Sequence, residues 1–132
     1  MIAIDTNVLL RLLLDDDAVH ARRSRALVAA MVAANDPIFV NRVVLCETVW
    51  TLGRGYRYDR AQIALAIELL LAAPALRLED GDAVEEALAI FRASAAGFVD
   101  ALIGVLNRRT GCVTTYTFDS RAAATAEFSL VD

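Results

Sequence analysis

Met1-Ile2-Ala3-Ile4-Asp5-Thr6-Asn7-Val8-Leu9-Leu10-Arg11 is the stretch whose reading decides the fold. Ile2 to Ile4 is a short apolar run of the kind that forms a buried strand, and Val8 to Leu13 continues with the spacing of a helix. Asp5 stands at the junction between the two. A strand that passes directly into a helix is the opening of an α/β domain, and ligands in such folds gather at the carboxyl ends of the strands.

The same alternation recurs along the chain. Pro37 to Val40 predicts a second strand, Ala75 to Leu78 a third, Cys112 to Thr117 a fourth and Phe128 to Val131 a fifth. Helices are expected between them. Asp15-Asp16-Asp17 precede one from about Ala18 to Ala34, where acids cap the first turn and complement the dipole. Asn41 caps a helix to about Arg54 ended by Gly55, and Asp59 opens another through Leu71. Asp80 or Asp82 opens one to about Ala96. Gly97 breaks it, Phe98 to Arg109 is helical, and a short helix lies around Ala122 to Ala126. Strands separated by helices predict a parallel sheet covered on both faces. At 132 residues, with no internal repeat and no linker, the chain reads as one domain, 1–132.

Composition narrows the function. Apolar residues make up 58% and charged residues 23%, a globular balance. No apolar run reaches the roughly 18 residues of a membrane span, and the N-terminus lacks the pattern of a signal peptide. A cytoplasmic protein without a membrane role is expected. Cys46 and Cys112 stand apart and read as buried free thiols of a reducing compartment. His20 is the only histidine, so any metal would be held by oxygen, favouring Mg²⁺ or Mn²⁺ over zinc. The net charge of −4 argues against a protein that coats nucleic acid. It leaves room for a nuclease whose acids are occupied by metal.

Four acids lie in apolar surroundings: Asp5, Glu47 in Val43-Val44-Leu45-Cys46-Glu47-Thr48-Val49-Trp50, Asp100 in Phe98-Val99-Asp100-Ala101-Leu102-Ile103, and Asp119 in Tyr116-Thr117-Phe118-Asp119-Ser120. Val43, Val44 and Trp50 are expected to face the core, which would turn Glu47 inward with them. Asp100 is the only charge between Phe98 and Leu106. Each acid has a plainer explanation. Glu47 is placed to meet Arg42 or Arg54, Asp100 sits early in a helix, and Asp5 and Asp119 are placed as caps. Four converging carboxylates would repel by roughly 4 kcal/mol per pair at 4 Å and an effective dielectric near 20. A shared divalent cation turns that repulsion into binding, and such oxygen-rich sites hydrolyse phosphodiesters.

These blocks resemble the PIN-domain family, and more closely the VapC-type toxins of bacterial toxin–antitoxin pairs. The matching segments are Ile4 to Arg11, Leu45 to Trp50, Phe98 to Ile103, and Thr115 to Asp119 followed by Arg121-Ala122-Ala123, in that order. The resemblance implies a three-layer α/β/α fold with a five-stranded parallel sheet. It implies an Mg²⁺- or Mn²⁺-dependent endoribonuclease in which Asp5, Glu47, Asp100 and Asp119 are catalytic and hold the metal. Thr6, Asn7 and Thr117 match positions that orient carboxylates or substrate. A homodimer is implied, with a small antitoxin over the site that supplies any DNA binding. Many relatives carry a further aspartate where Gly97 stands here, so a single ion is expected. Arg11, Arg42, Arg54 and Arg57 flank the acids as RNA-contact candidates.

All thirteen basic residues are arginine. Receiver domains and haloacid-dehalogenase-like phosphatases, which also gather aspartates at strand ends, need a lysine, and both are thereby excluded. The remaining alternative is a catalytically weak PIN-like module that binds other proteins.

Overall fold

The computed structural model describes all residues, Met1 to Asp132. It divides into two compact units, Met1–Glu79 and Asp80–Asp132, each described in turn.

The first unit begins with β1 (Ile2–Ala3) and α1 (Thr6–Leu13). Asp5 caps α1 by accepting a hydrogen bond from the Val8 N–H at 3.2 Å. Next come α2 (Ala18–Ala33), β2 (Ile38–Val40), α3 (Arg42–Arg54), α4 (Arg60–Ala72) and β3 (Leu76–Leu78). Asp17, Asn41 and Asp59 cap α2, α3 and α4, and Asp59 forms a reciprocal capping box with Gln62. These caps satisfy amides that have no partner inside a helix. The strands pair in parallel in the order β1-β2-β3, with Ile2 opposite Ile38 and Ile38 opposite Leu76. Leu10, Leu14, Leu52 and Ala66 form a buried cluster, with Leu13 and Tyr58 against it.

The second unit holds α5 (Gly81–Ala93), α6 (Phe98–Thr110), β4 (Thr115–Thr117), α7 (Ser120–Ala123) and β5 (Phe128–Leu130). Phe91 of α5 meets Phe98 of α6 edge-to-face, with ring centroids 6.2 Å apart. At Gly104 a Cβ would come within 2.6 Å of the Phe128 ring and 2.7 Å of Glu127 Cβ, so α6 approaches β5 as closely as only glycine allows. Gly111 ends α6 at φ 110°, the left-handed geometry that glycine adopts without strain. Strands β4 and β5 are parallel, with Thr115 opposite Phe128.

The α/β class and parallel pairing are as the sequence predicts. One detail is corrected: the five strands ladder as a three-stranded and a two-stranded sheet, not as one sheet of five. The strands are only two or three residues long, and β1 spends its ladder on β2. No helix is long and apolar enough to cross a membrane.

Two burial expectations also change. Glu47 is exposed, and Val43 and Trp50 are 65% and 50% exposed. Helix α3 is apolar on nearly every side, and it buries the stripe Leu45, Thr48, Val49 and Leu52 instead. Cys46 is half-buried and Cys112 exposed, neither a fully buried thiol.

Candidate active site

The first unit places Asp5 at the start of α1 and Glu47 inside α3. Asp5 follows β1 and caps α1, as the plainer explanation expected, and its side chain stays exposed. The next residue, Thr6, donates its hydroxyl to Glu47 Oε2 at 2.8 Å, joining the α1 start to α3. Glu47 thus meets a neutral partner and not an arginine. Arg42 instead lies against Glu79, whose carboxylate also accepts the Arg42 N–H at 2.9 Å. Asn7, in the first turn of α1, is exposed.

The second unit carries a more strongly coupled pair. Asp100 sits in the first turn of α6, just after Gly97, and is half-buried. Burial pushes its carboxyl above the ordinary aspartate range; the charge of Asp119 pushes the same way, and Arg121 opposes both. Asp119 follows β4 and caps α7 by accepting the Arg121 N–H at 2.8 Å. That amide and the Arg121 guanidinium, 3.4 Å from Oδ2, hold Asp119 below its ordinary range. Thr117 secures the turn: its hydroxyl oxygen accepts the Asp119 N–H at 3.0 Å.

The candidate arginines differ. Arg11 donates to Asp16 at 2.6 Å and to the Tyr56 hydroxyl at 3.3 Å, and the Tyr56 hydroxyl in turn donates to Asp16. Arg54 and Arg57 are exposed and unpaired. Arg121 was not singled out from the sequence, although its place two residues after Asp119 is the signal that finds it.

No group of three or more His, Cys, Asp or Glu side chains is gathered as a ready-made metal cage. What the structure brings together is the Thr6–Glu47 contact in the first unit and the Asp100–Asp119 pair in the second. The candidate metal donors are all carboxylate oxygens with no imidazole or thiolate among them, a set suited to a hard cation. Asp100 is destabilised as an anion by burial and by the charge of Asp119.

The family model of the PIN domain matches residues 2–128, across both units, and the chain belongs to that family. Among solved structures, that of Mycobacterium tuberculosis VapC20, a sarcin-ricin loop cleaving toxin, is similar over 98% of this chain and 98% of that one. The two are 24% identical, with a TM-score of 0.41. At that distance the likeness carries no weight for the site. No curated protein matches the chain.

Proposed function

We propose that this chain is a metal-dependent endoribonuclease that acts as the toxin of a toxin–antitoxin pair. The observation that carries the reading is the half-buried Asp100 beside Asp119, an anionic pair short of positive charge, in a chain that belongs to the PIN family. Asp5 and Glu47 in the first unit and Asp100 and Asp119 in the second are the residues that would hold Mg²⁺ or Mn²⁺. When bound, such an ion supplies Lewis acidity toward a phosphate oxygen and makes bound water more acidic.

The protein's own groups do the positioning. Thr6 fixes the rotamer of Glu47, and Thr117 fixes the turn that presents Asp119. Arg121 balances the charge of Asp119. Arg54 and Arg57, exposed and unpaired, are free to contact phosphates, whereas Arg11 and Arg42 are already engaged. The Thr6 hydroxyl is given to Glu47 as a positioning contact, and attack on the phosphate is assigned to water, without a covalent intermediate.

A homodimer in the cytoplasm, held inactive by a small antitoxin that also binds DNA, completes the proposal. The exposed Val43 and Trp50 on either side of Glu47 favour one second reading, a catalytically weak protein-binding module. Incubation of total RNA with Mg²⁺ or Mn²⁺, with EDTA, and with Asp100→Asn separates the two. Fragments that disappear under both EDTA and the substitution support the nuclease. Intact RNA in every lane, despite bound metal, supports the module.

A further inference from the structure

Helices α1 and α2 border an open groove of about 580 Å³ that Asp17 lines and that Asp5, Glu47, Asp100 and Asp119 do not. Its position is informative, because Asn7 and Val8 form one end and stand two and three residues after Asp5. Val8 and Leu27 supply apolar wall, while Arg11, Arg23 and Ser24 supply polar groups. That volume falls within the range of small-ligand sites and accommodates a nucleotide.

The polar groups around it fall into two sets. Arg11 is held by Asp16 and Tyr56, and His20 is paired with Asp17 at 2.7 Å, so these make a fixed rim. The others have no partner. Ser24 is only 7% exposed, yet its hydroxyl makes no hydrogen bond within the protein and is not sealed from solvent. A buried hydroxyl normally finds an acceptor, most simply a carbonyl one turn back, as Thr48 does with Val44. Arg23 is exposed and unpaired, and the Asn7 amide is also unengaged. Donor capacity is therefore left unused along an open groove.

Charge selects the occupant. Helix α2 contains Arg22, Arg23 and Arg25 and no acid, in a protein whose net charge is −4. Arg25 is paired with Asp15, which leaves Arg22 and Arg23 facing solvent. The acids at this end of α2 are engaged, Asp15 with Arg25, Asp16 with Arg11 and Asp17 with His20, so the unpaired lining cation Arg23 favours a phosphate. We infer that the α1–α2 groove is the subsite for a nucleotide of single-stranded RNA next to the scissile phosphate. Arg23 contacts a phosphate, Ser24 and Asn7 bond the sugar or base, and Val8 and Leu27 cover an apolar face. This inference rests on the ribonuclease reading.

The test is fluorescence anisotropy of a short labelled single-stranded RNA with the parent protein, Arg23→Ala, Ser24→Ala and Arg77→Ala. It is run over a salt series in EDTA, with strand integrity checked on a gel. Arg77 is an exposed arginine of the same unit outside the groove. Arg23→Ala should weaken binding about tenfold and flatten the salt dependence by about 0.7 in the log–log slope, one phosphate contact on a single strand. Ser24→Ala should weaken it about threefold with an unchanged melting temperature. Arg77→Ala should match the parent. Equal losses for Arg23→Ala and Arg77→Ala would show diffuse charge and overturn the groove assignment. So would unchanged RNA binding in both groove variants, which would leave the cavity for a protein segment. If the parent binds no RNA, the ribonuclease reading falls and the subsite falls with it.

Discussion

The two units present their candidate carboxylates at different depths. In the first, Asp5 and Glu47 are exposed, and Glu47 takes a hydrogen bond from a neutral threonine. In the second, Asp100 is half-buried, lifted by desolvation and by its neighbour Asp119, which an arginine stabilises in turn. Asp5, Asp100 and Asp119 follow a β-strand or lie in the first turn of a helix, while Glu47 lies inside α3. Burial is what divides them by unit. A carboxylate in water costs little to keep ionised, while one withdrawn beside another acid acts as a spring that a cation releases.

The largest test of that contrast is Asp100→Asn. It should reduce metal-dependent RNA cleavage by more than about a hundredfold, as loss of a metal-holding group does. In metal-free protein the same change should raise the melting temperature at neutral pH, because a strained charge is gone. Glu47→Gln should impair cleavage as severely but give no gain in melting temperature. A gain in both variants, or in neither, would erase the distinction between the pairs.

Helix glycines sharpen the comparison. Gly104→Ala in α6 should cost about 1–3 kcal/mol in urea denaturation, since its Cβ would strike Phe128 and Glu127. Gly53→Ala in α3 should gain about 0.5 kcal/mol, because its Cβ would meet Ile63 Cδ1 at an ordinary 3.6 Å.

Within the second unit, acid titration has two opposing parts. Glu86 is held below its ordinary value of 4.5 by Arg108 and Arg109. Its contribution is present above that value and lost as pH falls through the lowered one. Asp100 is held above 3.8, so its contribution is full below that pH and is lost as pH rises through the raised value. Glu86→Gln should therefore cost at most about 1 kcal/mol at neutral pH and nothing in strong acid. A melting-temperature profile of the variant against pH checks both the size and the sign. The smallest effect belongs to Gly97, which opens α6 without a side-chain cap. Gly97→Asn should add a few tenths of a kcal/mol by thermal denaturation.

Much of the architecture was legible in local residues. Asp17, Asn41 and Asp59 mark helix starts and Gly111 a helix end, because a cap and the amides it serves lie within three or four residues of each other. The acids were legible too, as was the placement of Asp5 and Asp119 directly after strands. The orientation of Glu47 was not. In α3, where both faces are apolar, periodicity offers no way to choose which stripe is buried, and packing chose Leu45, Thr48, Val49 and Leu52 over Val43 and Trp50.

By itself, the sequence determined the order of strands and helices, most of their boundaries, the oxygen-only donor set and the absence of lysine chemistry. Only the tertiary structure decided that Thr6 meets Glu47 across 41 residues, that Arg42 is taken by Glu79, that the strands ladder as three and two, and that Asp100 is half-buried while Glu47 is exposed. The physical reason is range. Caps and turns are hydrogen bonds closed within one turn of chain, whereas burial and partner choice depend on which distant surface arrives to exclude water.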